Sequence, residues 1–210
     1  MVITPPKSLI QINIQELWAY RELLYIFAWR DIKVRYKQTF LGIAWAVFQP
    51  LFTMIIFTIF FGNLAKIPSD GIPYPVFVYL GLLFWTYFSS SLTSASSCMV
   101  DNEGIIKKIY FPRLLLSLAS AVTPLVDFAF AFIVYLLLLF YFGVTPNIVG
   151  LIFVPILLTL ALISASGLGL FLSSINVKYR DVRYILPFFI QILMFMTPVI
   201  YPTSIVPEQF

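Results

Sequence analysis

Three stretches of this chain, 38–65, 71–100 and 184–207, contain no charged residue at all. Each can supply the roughly 20 consecutive apolar residues that a helix needs to cross a bilayer. The stretch between Arg113 and Lys178 is longer and carries Asp127 as its one charge. Gly143-Val144-Thr145-Pro146-Asn147, a turn-forming cluster, divides it into two. Hydrophobic residues make up 61% of the chain and charged ones 10%, so lipid rather than water is its solvent. Barrel strands of about 9–11 alternating residues do not fit, because these runs are continuously apolar. The expectation is an all-α polytopic membrane protein with five visible transmembrane helices, near 41–62, 76–99, 114–142, 148–172 and 184–201.

Lys and Arg fix the orientation. Lys7, Arg21, Arg30, Lys33, Arg35 and Lys37 precede span one; Lys107, Lys108 and Arg113 follow span two; Lys178, Arg180 and Arg183 follow span four. All of them fall on one side, and Lys66 stands alone on the other, so the positive-inside rule predicts a cytosolic N-terminus. The cations are spread over three membrane-proximal segments with no compact patch, which argues against nucleic acid as a partner. The first apolar run begins some 40 residues in, behind Pro5-Pro6-Lys7, so span one rather than a cleavable signal is the expected insertion signal. The single Cys98 has no partner for a disulfide within the chain and reads as packing.

Two segments between spans carry information. In 13–37, Asn13 and Glu16 have capping-box spacing. Beyond them Trp18, Tyr20, Tyr25, Trp29 and Tyr36 alternate with Arg21, Arg30, Lys33 and Arg35. This predicts an interfacial helix, lying in the headgroup layer or tucked against the protein's own cytosolic face. In 101–113, Ile105 with Ile109 and Ile106 with Tyr110 pair at i, i+4 while Lys107 and Lys108 point elsewhere, which predicts a short amphipathic helix. Its isoleucines would stand uncovered in water, inviting a cytosolic partner, the lipid headgroups or the protein's own surface.

Asp127, intramembrane and three residues after Pro124, must face protein or water, because a carboxylate in hydrocarbon costs about 2.5–3.5 kcal/mol. One carboxylate in a chain without histidine is too little for an ion relay, so a structural bond to a neighbouring helix is expected. Ser90 with Ser94, Ser91 with Ala95, and Ala165 with Gly169 have small-xxx-small spacing, which lets helices approach closely. Pro187, Pro198, Pro202 and Pro207 predict that span five is bent or broken near its outer end.

Several chemistries are excluded. There is no G-x-x-x-x-G-K-[ST] phosphate loop, so ATP hydrolysis by that route is absent. Without histidine and with one cysteine, a metal cluster or a Ser-His pair cannot be built. Transport or a structural role remains.

Three stretches then carry a resemblance. They are Arg35-Tyr36-Lys37-Gln38-Thr39-Phe40-Leu41-Gly42-Ile43-Ala44-Trp45-Ala46 leading to Gln49-Pro50, then 102–113 (Asn-Glu-Gly-Ile-Ile-Lys-Lys-Ile-Tyr-Phe-Pro-Arg), and 176–183 followed by Thr197-Pro198-Val199-Ile200-Tyr201-Pro202. In order and spacing the chain resembles the permeases of ABC-2 exporters that move lipid-linked O-antigen, capsular polysaccharide or teichoic acid. The resemblance implies a homodimer in the cytoplasmic (inner) membrane, paired with a separate ABC ATPase subunit that keeps the ATP and magnesium; this chain would bind no cofactor. It implies a cytosolic N-terminus and interfacial helix over 1–38, marked by Trp18, Tyr20, Arg30, Arg35 and Tyr36, and a transmembrane domain over 39–210. It implies a coupling helix at about 101–112, with Asn102, Glu103, Gly104, Ile105, Ile106, Lys107 and Lys108 seated on the ATPase. A channel between protomers follows, with Phe84, Trp85, Tyr87 and Phe88 as candidates to line it and meet sugar rings. Members of that family have six spans and this sequence stops just outside its fifth, so the sixth is expected to be missing. The rival readings are export of a small hydrophobic compound or drug, and a non-transporting truncated scaffold.

Overall fold

The computed structural model describes residues 14–37 and 42–205. Asn13 of the expected cap, Lys7, Pro207, residue 41 at the head of expected span one and the expected boundary between 38 and 39 lie outside them.

Among the described residues every regular element is a helix. Two helices, α1 (Ile14–Ala19) and α2 (Arg21–Lys37), precede α3 (Gly42–Phe57), which continues as a π-helical stretch, Thr58–Leu64. Then come α4 (Tyr74–Asp101), the single turn α5 (Glu103–Ile106), the pair α6 (Leu114–Val122) and α7 (Leu125–Tyr141), α8 (Ile148–Lys178) and α9 (Val182–Met196). Among the described residues four runs are long and apolar enough to cross a membrane: Ala44–Leu64, Tyr74–Asp101, Leu114–Tyr141 and Ile148–Lys178.

The fifth apolar helix, α9, has 15 residues. At 1.5 Å per residue it covers about 22 Å, short of the ~30 Å hydrocarbon core. The chain nevertheless travels the full height of α4. Arg183 at its start bonds Asp101 at one end of α4 at 3.0 Å, and Tyr74 at the other end donates its hydroxyl to Ile200 O at 2.9 Å. The helix stops at Met196, just before Pro198, and a turn over 197–199 followed by a bend carries the chain on to Ile200. Gly81 makes room for that backbone, since a Cβ there would lie 2.9 Å from Val199 O.

The central helix is α4, which packs against α3, α6, α7, α8 and α9. Its N-terminal half builds the main core, with Tyr74, Val78, Tyr79, Leu82, Leu83 and Tyr87 buried against Met54, Phe128, Ala131 and Ile200. Lipid is as apolar as leucine, so apolar contact alone holds such helices weakly, and close approach with polar bonds does the rest. Small residues bring α4 and α8 together, where Gly169 lies against Ala95. Asn176 Nδ2 donates to Ser96 O at 3.1 Å, and Ser117 Oγ of α6 donates to Ser166 O of α8 at 2.7 Å. Pro124 breaks span three, and the interruption leaves carbonyls of the preceding turn short of donors. Ala121 O takes the hydroxyls of Tyr87 and Ser91 from α4 at 3.3 and 3.2 Å. The buried Cys98 sits 3.6 Å from Ser173 Oγ within the same contact.

Candidate functional site

The loop that follows α4 turns on Asn102, which is buried. Its amide Nδ2 donates back to Cys98 O at 2.8 Å, and its Oδ1 accepts from Arg30 Nη2 at 2.7 Å, so α2 grips the loop at its root. Helical structure lasts for one turn only: Lys107 N donates to Glu103 O, and Ile109 N to Ile105 O, before the chain straightens toward Pro112. Lys107 pairs with Glu103 at i, i+4, and that hydrogen bond and charge hold the Glu103 carboxyl below its usual pKa.

Of the covers expected for Ile105 and Ile106, the protein's own surface is the one seen. Ile105 and Ile106 do not stand uncovered; both are half-buried against the cluster of Phe27, Met99, Phe111 and Leu116, with Leu23 and Leu24 of α2 packed on the same cluster. The apolar side chains left standing are Ile109, 62% exposed, and Tyr110, 67% exposed. They share the face with exposed Gly104, Lys107 and Lys108. Two hollows of about 250 Å³ flank the turn, one bounded by Ile106, Lys107, Arg113 and Arg180, the other lying under Ile109 and Tyr110. The amphipathic helix expected over 101–113 is thus a single turn with an exposed apolar and basic shoulder.

The α2 helix is mounted on the protein along one side and bare along the other. Phe27 and Ala28 are buried, with Phe27 meeting Phe111 at 5.4 Å between ring centroids and Arg30 lying 5.2 Å over the Phe27 ring. Tyr20, in the turn between α1 and α2, packs against the same cluster. Trp18, Tyr25 and Trp29 are exposed, the last two stacked at 6.3 Å. One of the two sequence readings, a helix tucked against the protein, is seen on the Phe27 and Ala28 face, and the aromatics lie exposed on the other.

Its C-terminal end supplies what the sequence left open for Asp127. Arg35 Nη2 lies 2.6 Å from Asp127 Oδ2, and the Tyr36 hydroxyl donates to Oδ1. The expected bond to a neighbouring helix is an ion pair with the segment just before span one, from a residue 91 positions earlier for the tyrosine. A carboxylate so placed is neutralised where lipid would otherwise penalise it. Arg35 and Asp127 are separated in sequence by two spans, and no periodicity links them.

Of the aromatic candidates, Tyr87 is buried with its hydroxyl on Ala121 O, and Phe84 meets Phe128 edge-on at 5.3 Å. Trp85 and Phe88 touch at 5.9 Å and pack against Leu92, Leu186 and Ile190. Within the chain these four rings join helices, and Tyr87 offers no open face to a sugar.

Fold and site together define a polytopic helical membrane protein with a turn after α4 held by α2 and an ion pair at mid-span. Residues 22–210 match the family model described as ABC-2 type transporter, and the chain belongs to that family. It is 30% identical over 197 residues to the O-antigen export system permease protein RfbA of Myxococcus xanthus, covering 93% of this chain and 74% of that one. It is 30% identical over 189 residues to the protein of the same name from Klebsiella pneumoniae, covering 90% and 72%. The polysialic acid transport protein KpsM of Escherichia coli is 22% identical over 181 residues, covering 86% and 70%.

Proposed function

We propose that this chain is the permease subunit of an ATP-driven exporter of lipid-linked polysaccharide, working as a homodimer in the cytoplasmic membrane with its N-terminus in the cytosol. The observation that carries the reading is its similarity along nearly its whole length to permeases named for O-antigen export. The distribution of Lys and Arg supports the orientation. The given sequence carries no phosphate-binding loop, which supports placing ATP and magnesium in a separate ABC ATPase.

That partner seats on the shoulder formed by Gly104, Lys107, Lys108, Ile109 and Tyr110. Force applied there reaches the membrane by two routes: Asn102 continues directly into α4, and Arg30 and Phe111 hand it to α2 and so to Asp127. The first route ends on α4 and the second on α7, which pack together in the main core.

Co-purification from membranes with the ATPase encoded beside this chain tests the assignment. An exposed anchor buried on binding is worth about 2 kcal/mol, or roughly 30-fold in affinity. Ile109→Asp with Tyr110→Asp is therefore expected to abolish co-purification. Exposed side chains contribute little to folding, so the variant should extract and elute as wild type does. Wild-type recovery of the ATPase by the double variant would contradict the docking face.

A further inference from the structure

An open cleft of about 420 Å³ lies between α2, α4 and α6, within the size range of small-molecule sites. Its walls carry Ser94 and Ser97 from α4, Ser120 from α6 and Thr123 from the break in span three. Asp31 and Asp101 contribute carboxylates, and Arg30 and Arg35 contribute guanidiniums. From Asp101 to Ser94 the cleft runs seven residues down α4, about 10 Å along the helix axis. Polar walls at that depth are costly against acyl chains, so they face water or a polar ligand.

The charges decide which ligand. Arg30 is held by Asp31 at 2.8 Å, Arg35 by Asp127 at 2.6 Å, and Asp101 by Arg183 at 3.0 Å. Two cations and two anions on the walls cancel, so the cleft has no net charge with which to attract a phosphate. What it offers is a set of hydroxyls, with Ser94 and Ser120 able to donate and accept and with Ser97 and Thr123, whose hydrogens go to backbone carbonyls of the preceding turn, left as acceptors; carboxylate oxygens and guanidinium edges lie between them. Several hydroxyls on one compact, uncharged body complement that set, and a sugar residue has this chemistry. We infer that the cleft is a carbohydrate subsite at the cytosolic mouth of the protein, holding a sugar residue of the exported glycan rather than its phosphate or lipid. The inference rests on the export reading above and adds where the glycan is first held. Because the cleft ends on Asn102, the sugar would sit against the residue that carries the docking turn.

Val34 lines the cleft and is 65% exposed, so Val34→Cys places a reporter thiol at its rim. The native Cys98 is buried, which makes the wild type the unlabelled control. Inside-out vesicles holding the permease with its ATPase are treated with a charged, membrane-impermeant maleimide. Labelling is compared without additions, with lipid-linked glycan purified from the same cells, with the glycan released from its lipid, and with the phosphorylated lipid carrier alone. At ten times its dissociation constant a ligand should slow labelling about tenfold. Both glycan-bearing preparations should protect, the carrier should not, and Ser94→Leu, which fills the cleft, should remove the protection. Protection by the carrier alone would make this a headgroup site, and protection by none, or no labelling at all, would overturn the inference. If wild type exports glycan while the thiol goes unprotected, the subsite falls and the export reading stands; if wild type exports nothing, the export reading itself falls.

Discussion

Arg35→Ala is expected to leave Asp127 as an uncompensated carboxylate beside α4 and to lower the stability of the protein by about 2–3 kcal/mol. Breaking one side of a buried ion pair costs about 3–5 kcal/mol, and partial exposure reduces this. Here the side chains are 40% exposed for Arg35 and 16% for Asp127, which places the cost toward the lower end. The reverse change should be milder. Asp127→Asn keeps an acceptor for the Tyr36 hydroxyl and leaves the charge on the more exposed partner, for a loss of about 1 kcal/mol. Replacing both, Arg35→Met with Asp127→Leu, should recover most of the loss, because an apolar pair of similar volume has no charge to desolvate. Unfolding midpoints of the detergent-purified variants give the order directly. If the double variant is no more stable than Arg35→Ala, the ion pair is not the source of the effect.

Gly169→Leu is expected to prevent α4 and α8 from meeting. A Cβ at Gly169 would overlap the Cβ of Ala95, with the Ala95 carbonyl carbon and Cα at 3.2 and 3.3 Å, so the obstacle is backbone and a methyl group that cannot rotate away. Forcing extra carbon into a packed contact costs about 1–3 kcal/mol per site, and leucine adds three carbons more than alanine. Separation of the helices would also stretch the Asn176 to Ser96 and Ser117 to Ser166 bonds. The variant should fail to yield monodisperse protein after extraction. Gly167 supplies the control. It is exposed, with open space where its Cβ would go, so Gly167→Ala should be neutral or stabilising by up to about 1 kcal/mol. A second arm, Ala95→Gly with Gly169→Ala, returns the volume to the opposite helix and should recover folding. Equal behaviour of the Gly167 and Gly169 variants would mean that this contact does not hold the spans together.

The membrane character of the chain was readable because uncharged length is a local property. The charge-free runs around Leu82 or Ile156 need no knowledge of their neighbours to be recognised as spans. The small-residue spacing of Ala165 and Gly169 was readable for the same reason, although its partner Ala95 was not. What escaped depends on contacts between distant segments. The coverage of Ile105 and Ile106 comes from α2, some 80 residues earlier, so sequence spacing exposed them while the fold half-buries them and leaves Ile109 and Tyr110 outside. Pro112 gave the one local hint that the amphipathic pattern of 105–110 would not run as a full helix. The Arg35 to Asp127 pair and the polar cleft are each assembled from separate helices, and neither leaves a periodic trace. Among the aromatic residues, burial of Tyr87 follows from the Ala121 carbonyl that the Pro124 break leaves to be satisfied, which becomes visible only once α4 and α6 are side by side.

The most direct test of the whole account is surface display of polysaccharide by an exporter-null strain that carries this permease and the neighbouring ATPase, scored with an antibody against the strain's own glycan. The account predicts that the wild-type pair restores surface glycan and that Ile109→Asp with Tyr110→Asp leaves it trapped inside, with permease levels in the membrane unchanged. Glycan that stays inside with the wild-type pair, both proteins being present in the membrane fraction, would contradict it.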